Sequence, residues 1–104
     1  MRVDELLARG RTLSFEFFPP KTDEAQAQLN DTISELTPLH PNFFSVTYGP
    51  QGGERTRTRD VVVAMAQSGS VPPVAHLTCV GHTREEINAL LGEYKAAGVK
   101  NILA

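Results

Sequence analysis

Apolar positions along this chain follow two spacings in turn. In Ser14-Phe15-Glu16-Phe17-Phe18, Phe43-Phe44-Ser45-Val46-Thr47-Tyr48 and Val74-Ala75-His76-Leu77-Thr78-Cys79 the side chains alternate in character with a period of two. That is the period of a β-strand, whose successive residues point to opposite faces. Residues 12–18, 43–48 and 74–79 are therefore read as strands, and 99–104 as a fourth. Between them the spacing becomes helical. Val3, Leu6 and Leu7 predict a short entry helix over 3–9, closed by Gly10. Ala25, Leu29, Ile33 and Leu36 form one stripe, capped by Thr22 or Asp23 and stopped by Pro38. Val61, Val62 and Met65 mark a helix over 56–68, after a Gly49-Pro50-Gln51-Gly52-Gly53 loop. Thr83-Arg84-Glu85-Glu86 spells a capping box, Ile87, Leu90, Leu91 and Tyr94 carry the stripe, and Gly98 ends it.

Strand and helix alternate throughout, so the strands are expected to be parallel and joined by helical crossovers. Two α/β architectures use that order: an open doubly wound sheet and a (β/α)8 TIM barrel. The faces of the strands favour the barrel. One face of each strand is apolar: Phe15 and Phe17, then Phe44 and Val46, then Ala75 and Leu77. The other carries a polar group near the strand's C-terminal end: Glu16, Thr47 and His76. A sheet covered by helices on both sides would be apolar on both. In a barrel, inward residues at the C-terminal ends of strands build the active site. Pro19-Pro20 follows the first strand, where a dinucleotide-binding sheet would have a glycine fingerprint. A complete barrel takes about 250 residues, and this chain has 104. The expectation is three βα units and a fourth strand, an incomplete part of a barrel that belongs to a larger enzyme or pairs to be stable.

Composition narrows the chemistry. The chain is 40% hydrophobic and 21% charged, as a globular domain is. Its net charge of −2 makes no electrostatic case for nucleic acid or an anionic membrane. The residues given lead to the expectation of no signal peptide, and they hold no apolar run long enough to span a bilayer. The single cysteine, Cys79, can form neither an internal disulfide nor a cysteine-based zinc site. These features point to the cytoplasm.

Glu16 is the centre of the candidate site. A carboxylate near the end of a buried strand needs a partner or a proton, and a raised pKa suits a general acid. The alternative is an ion-paired structural glutamate. Thr47 and His76 come from the next two strands and should converge with it, although a lone strand histidine is more often a core residue. One histidine and one glutamate are too few for a metal. Arg55, Arg57 and Arg59 form a basic cluster that reads as a solvated helix face rather than a phosphate site. Ser45 and Cys79 show no activating base, and His40 and His82 sit in turns without an assigned role.

Ser14-Phe15-Glu16-Phe17-Phe18-Pro19-Pro20-Lys21 resembles the opening motif of methylenetetrahydrofolate reductases. Phe44-Ser45-Val46-Thr47-Tyr48-Gly49, Gly53-Glu54-Arg55 and His76-Leu77-Thr78-Cys79 resemble that family's next segments, in order and spacing. The likeness runs from residue 12 to residue 104. It implies a (β/α)8 barrel with FAD at its C-terminal face. The implied reaction reduces methylenetetrahydrofolate to methyltetrahydrofolate with NAD(P)H, supplying methionine synthesis. By position, Glu16 matches the general acid that helps open the folate's five-membered ring. Thr47 matches a position near flavin and nicotinamide, while Tyr48, Pro50 and His76 match flavin-contacting positions. Pro50 departs from the family's frequent alanine and has no amide hydrogen to give a flavin. The family's next flavin-contacting segment, Arg-Gly-Asp, is expected just past Ala104, so the chain alone should neither hold FAD tightly nor turn over. Two other readings are a pterin-binding barrel of one-carbon metabolism and a non-catalytic half-barrel that forms a homo-oligomer through bare strand edges.

Overall fold

The computed structural model describes residues 1–48 and 52–104, and the side chains of all of these except residues 52–55. The elements are α1 (Val3–Ala8), β1 (Ser14–Phe17), α2 (Asp23–Leu36), a 3-10 turn (Thr37–Leu39), β2 (Phe43–Val46), α3 (Gly52–Ser68), β3 (Pro73–His76), α4 (Arg84–Ala97) and β4 (Asn101–Leu103). The four strands form one parallel sheet in the order β1-β2-β3-β4. No helix among the described residues is long and apolar enough to cross a membrane.

Local signals set the helix ends. The Thr22 hydroxyl accepts from the Ala25 amide at 3.0 Å and caps α2. Thr83 and Glu86 close a reciprocal capping box at 3.1 Å in each direction. Gly98 ends α4 in the left-handed conformation at φ +90°. Beyond α2, the chain tightens into the 3-10 turn and leaves it through His40, itself left-handed at φ +57°.

The strands are shorter than the alternation suggests, because a strand extends only as far as its neighbours pair with it. The β3 ladder ends where the Leu77 amide meets the Leu103 carbonyl at 2.8 Å, so residues 78 and 79 lie in the following loop. β2 ends after the Thr47 amide reaches the Phe17 carbonyl at 2.9 Å, beyond which Phe18 precedes Pro19. α3 begins at Gly52, four residues ahead of expectation. Few backbone groups are bonded within a helix's first turn, so glycine's poor propensity weighs least there.

One face of the sheet carries the core. Phe44, Val46 and Ala75 are buried against Val61, Val62 and Met65 of α3 and Tyr94 of α4. Leu29 and Ile33 of α2 pack onto the same cluster. Phe17 meets Phe44 edge to face, with ring centroids 5.3 Å apart. The Thr58 hydroxyl, fully buried, donates to the Thr47 carbonyl at 3.0 Å and ties α3 to the end of β2. All three crossover helices thus cover a single face, as in part of a barrel and unlike a doubly wound sheet.

The opposite face is an open trough lined by Glu16, Phe43, Ser45, Val74, His76 and Leu103. α1 bounds the trough at the N-terminal ends of the strands. There Asn101, the first residue of β4, accepts the Val3 amide at 2.8 Å and donates to the Met1 carbonyl at 3.2 Å.

Candidate functional site

Glu16, Ser45 and His76 occupy the open face of three consecutive strands. Glu16 pairs in register with Ser45, whose other neighbour is Val74. The Ser45 hydroxyl donates to Glu16 Oε1 at 3.2 Å. His76 Nε2 approaches the same oxygen to 3.3 Å. The backbones of β1 and β3 lie about 10 Å apart, two strand spacings, so a glutamate and an imidazole reach each other across the small serine between them. A larger residue at position 45 would separate them.

The setting of Glu16 differs from the buried one expected from its sequence neighbours. Its side chain is 56% exposed, against 22% for His76. Phe15 and Phe17 do not enclose it, because strand alternation turns both rings to the helix-covered face, where they pack against Phe44.

A second polar cluster lies beyond the C-terminal ends of β2 and β3. The Tyr48 hydroxyl and His82 Nε2 are 2.5 Å apart. A reverse turn delivers that imidazole. The His82 amide bonds the Cys79 carbonyl at 3.3 Å, with Gly81 at φ +82° in the position where such a turn needs a positive φ. His82 Nδ1 is sealed from solvent and faces Glu86 Oε2 at 3.6 Å. The Thr83 backbone amide, above all other contacts, holds the Glu86 carboxyl below its ordinary pKa.

The profile of a family described as methylenetetrahydrofolate reductase matches residues 2–104. This chain belongs to the methylenetetrahydrofolate reductase family. It is 40% identical over 92 residues to the 5,10-methylenetetrahydrofolate reductase of Salmonella typhimurium and 38% identical to that of Escherichia coli K12. Each alignment covers 88% of this chain and 31% of the relative. A rice protein named probable methylenetetrahydrofolate reductase (NADH) is 35% identical over 104 residues, 99% of this chain and 18% of its own length. The chain thus spans about a third or less of the length of these relatives.

Within this reductase-family chain, Glu16 and His76 come together, while Thr47 follows the end of β2, does not line the trough with them and is anchored by its backbone to Phe17 and Thr58. Tyr48 sits beyond the strand end, paired with His82. Pro50 lies outside the described residues. The basic cluster resolves into ion pairs: Arg57 lies 3.7 Å from Asp23, and Arg59 reaches Asp60 at 3.1 Å and Glu93 at 3.4 Å. Arg55 lies outside the described side chains. No group of three potential metal ligands gathers among the described residues. Two residues of these clusters carry little signal in the sequence. Ser45 shares a strand face with Thr47 but shows no activating base in the chain, so nothing local marks it as a bridge. His82 looked like a turn residue, and only its place just before the Thr83 cap hinted that its ring would turn back toward the sheet.

Proposed function

We propose that this chain forms the first part of a (β/α)8 barrel that reduces 5,10-methylenetetrahydrofolate to 5-methyltetrahydrofolate. The electrons come from NAD(P)H by way of FAD, in a cytoplasmic enzyme of methionine supply. The observation that carries the reading is the meeting of Glu16 and His76 over Ser45, on the one sheet face without crossover helices.

The donor set suits a flavin. An imidazole, a phenol and a threonine, from His76, Tyr48 and Thr47, stand at the C-terminal ends of adjacent strands. Hydrogen-bonding groups of that kind match the polar edge of an isoalloxazine ring and its side chain. These three residues would hold the cofactor, which supplies hydride transfer when bound. Glu16 is the general acid. Both of its neighbours, Ser45 Oγ and His76 Nε2, address Oε1. The proton to be given therefore belongs on Oε2, from which it passes to the amine nitrogen that leaves when the folate's five-membered ring opens. His76 and Ser45 orient the carboxyl.

The test uses full-length protein carrying Glu16→Gln. Reduction of the folate should fall by about a hundredfold or more, while reduction of bound flavin by NAD(P)H stays near wild type. Equal loss of both half-reactions would overturn the assignment.

A further inference from the structure

We propose that His82 is a positioning residue that fixes the polarity of the Tyr48 hydroxyl, taking its hydrogen on Nε2 so that Oη presents lone pairs to a hydrogen-bond donor, a hydroxyl or N–H, on the bound flavin. The inference rests on the reading of Tyr48 as a flavin contact, but its core concerns the protein alone.

His82 Nδ1 has no access to solvent and no hydrogen-bond partner among the described residues. What it faces is Glu86 Oε2, at 3.6 Å. A bare ring nitrogen would set its lone pair against a carboxylate oxygen and be repelled. A protonated Nδ1 is attracted, and a small rotation of the ring brings it to hydrogen-bond length. Glu86 is well placed to remain ionised. Its other oxygen accepts the Thr83 amide in the capping box, and its pKa lies below the ordinary value. With hydrogen on Nδ1, the neutral imidazole has an acceptor at Nε2. The 2.5 Å contact with Tyr48 is then a hydrogen bond from the phenol to the ring. A tyrosine whose hydrogen is committed in this way cannot donate to a flavin carbonyl. It selects for a donor.

The arrangement also explains the loop. Gly81 at φ +82° turns the chain so that His82 immediately precedes the N-cap of α4. The helix cap and the ring's orienting carboxylate are therefore the same residue, Glu86.

The experiment is nitrogen NMR on full-length protein labelled with 15N-histidine, with His82 assigned by difference from His82→Gln. The expected spectrum has hydrogen on Nδ1 and a pyridine-like Nε2. A neutral ring protonated on Nε2, or an imidazolium at neutral pH, would overturn the proposal. Glu86→Gln separates this role from helix capping, since glutamine also serves at the third position of a capping box. It should keep α4 helical, shift His82 toward the Nε2-protonated form and weaken FAD binding by roughly two- to tenfold, the worth of one hydrogen bond. An unchanged His82 spectrum in Glu86→Gln would also overturn it. If wild type binds no FAD while the tautomer is as stated, the proposed flavin contact fails and the His82 assignment stands.

Discussion

The two faces of this sheet come from the same four strands and obey opposite rules. On the helix-covered face Phe44, Val46 and Ala75 are almost wholly buried and are chosen for shape. On the open face Glu16, Ser45 and His76 retain exposure and are chosen for what their polar atoms can reach. Adjacent residues of one strand belong to different surroundings: Phe15 and Phe17 pack against Phe44, and Glu16 between them faces the open trough. Stability in this fold should therefore reside on one face and function on the other.

The largest effect that would sharpen this contrast is Phe44→Ala. It removes the ring that meets both Phe15 and Phe17 and should lower unfolding free energy by about 3–5 kcal/mol. Glu16→Gln on the other face should change it by no more than about 0.5 kcal/mol. Denaturant titration of both variants checks the pair, and comparable losses would break the division of labour.

An intermediate effect is expected where the faces are stitched together. Thr58→Val keeps shape but leaves the Thr47 carbonyl without its 3.0 Å donor. A loss of about 1–2 kcal/mol is expected from a part-buried carbonyl that loses this donor. Amide exchange at the end of β2 should accelerate in the same variant.

The smallest expected effect lies inside the covered face and runs the other way. Tyr94 is 1% exposed, and its hydroxyl has no hydrogen-bond partner among the described residues. Burial pushes its phenol up from 10.0 to about 12. A folded-state pKa above the unfolded one means that the folded form holds the proton more tightly. This contribution is fully present below pH 10 and is lost as pH rises through about 12. Tyr94→Phe should raise stability at neutral pH by about 1 kcal/mol, by removing an unpaired buried hydroxyl. It should also flatten the decline between pH 10 and 12 in a pH series of melting curves.

Much of the architecture was legible in the chain. The stripe of Val61, Val62 and Met65, the Thr83–Glu86 box and Gly98 each act within a few residues, so local rules suffice to find them. The strand ends were less legible. Residues 78 and 79 have good strand alternation but leave the ladder after Leu77, because pairing depends on a partner 26 residues away, Leu103. The site was legible in part. The alternation of β1, β2 and β3 assigned Glu16 and His76 to one face. It did not reveal that Ser45 bridges them or that the flanking phenylalanines leave Glu16 half open.

By itself, the sequence determined the order of elements, the parallel sheet, the apolar face and the family, because each follows from periodicity, caps or ordered motifs read along the chain. Which polar groups touch follows from packing in three dimensions. Glu16 with His76 spans 60 positions and Tyr48 with His82 spans 34. Such contacts depend on register between strands and on the hand of one glycine turn. Those are properties of packed backbone that no local pattern encodes.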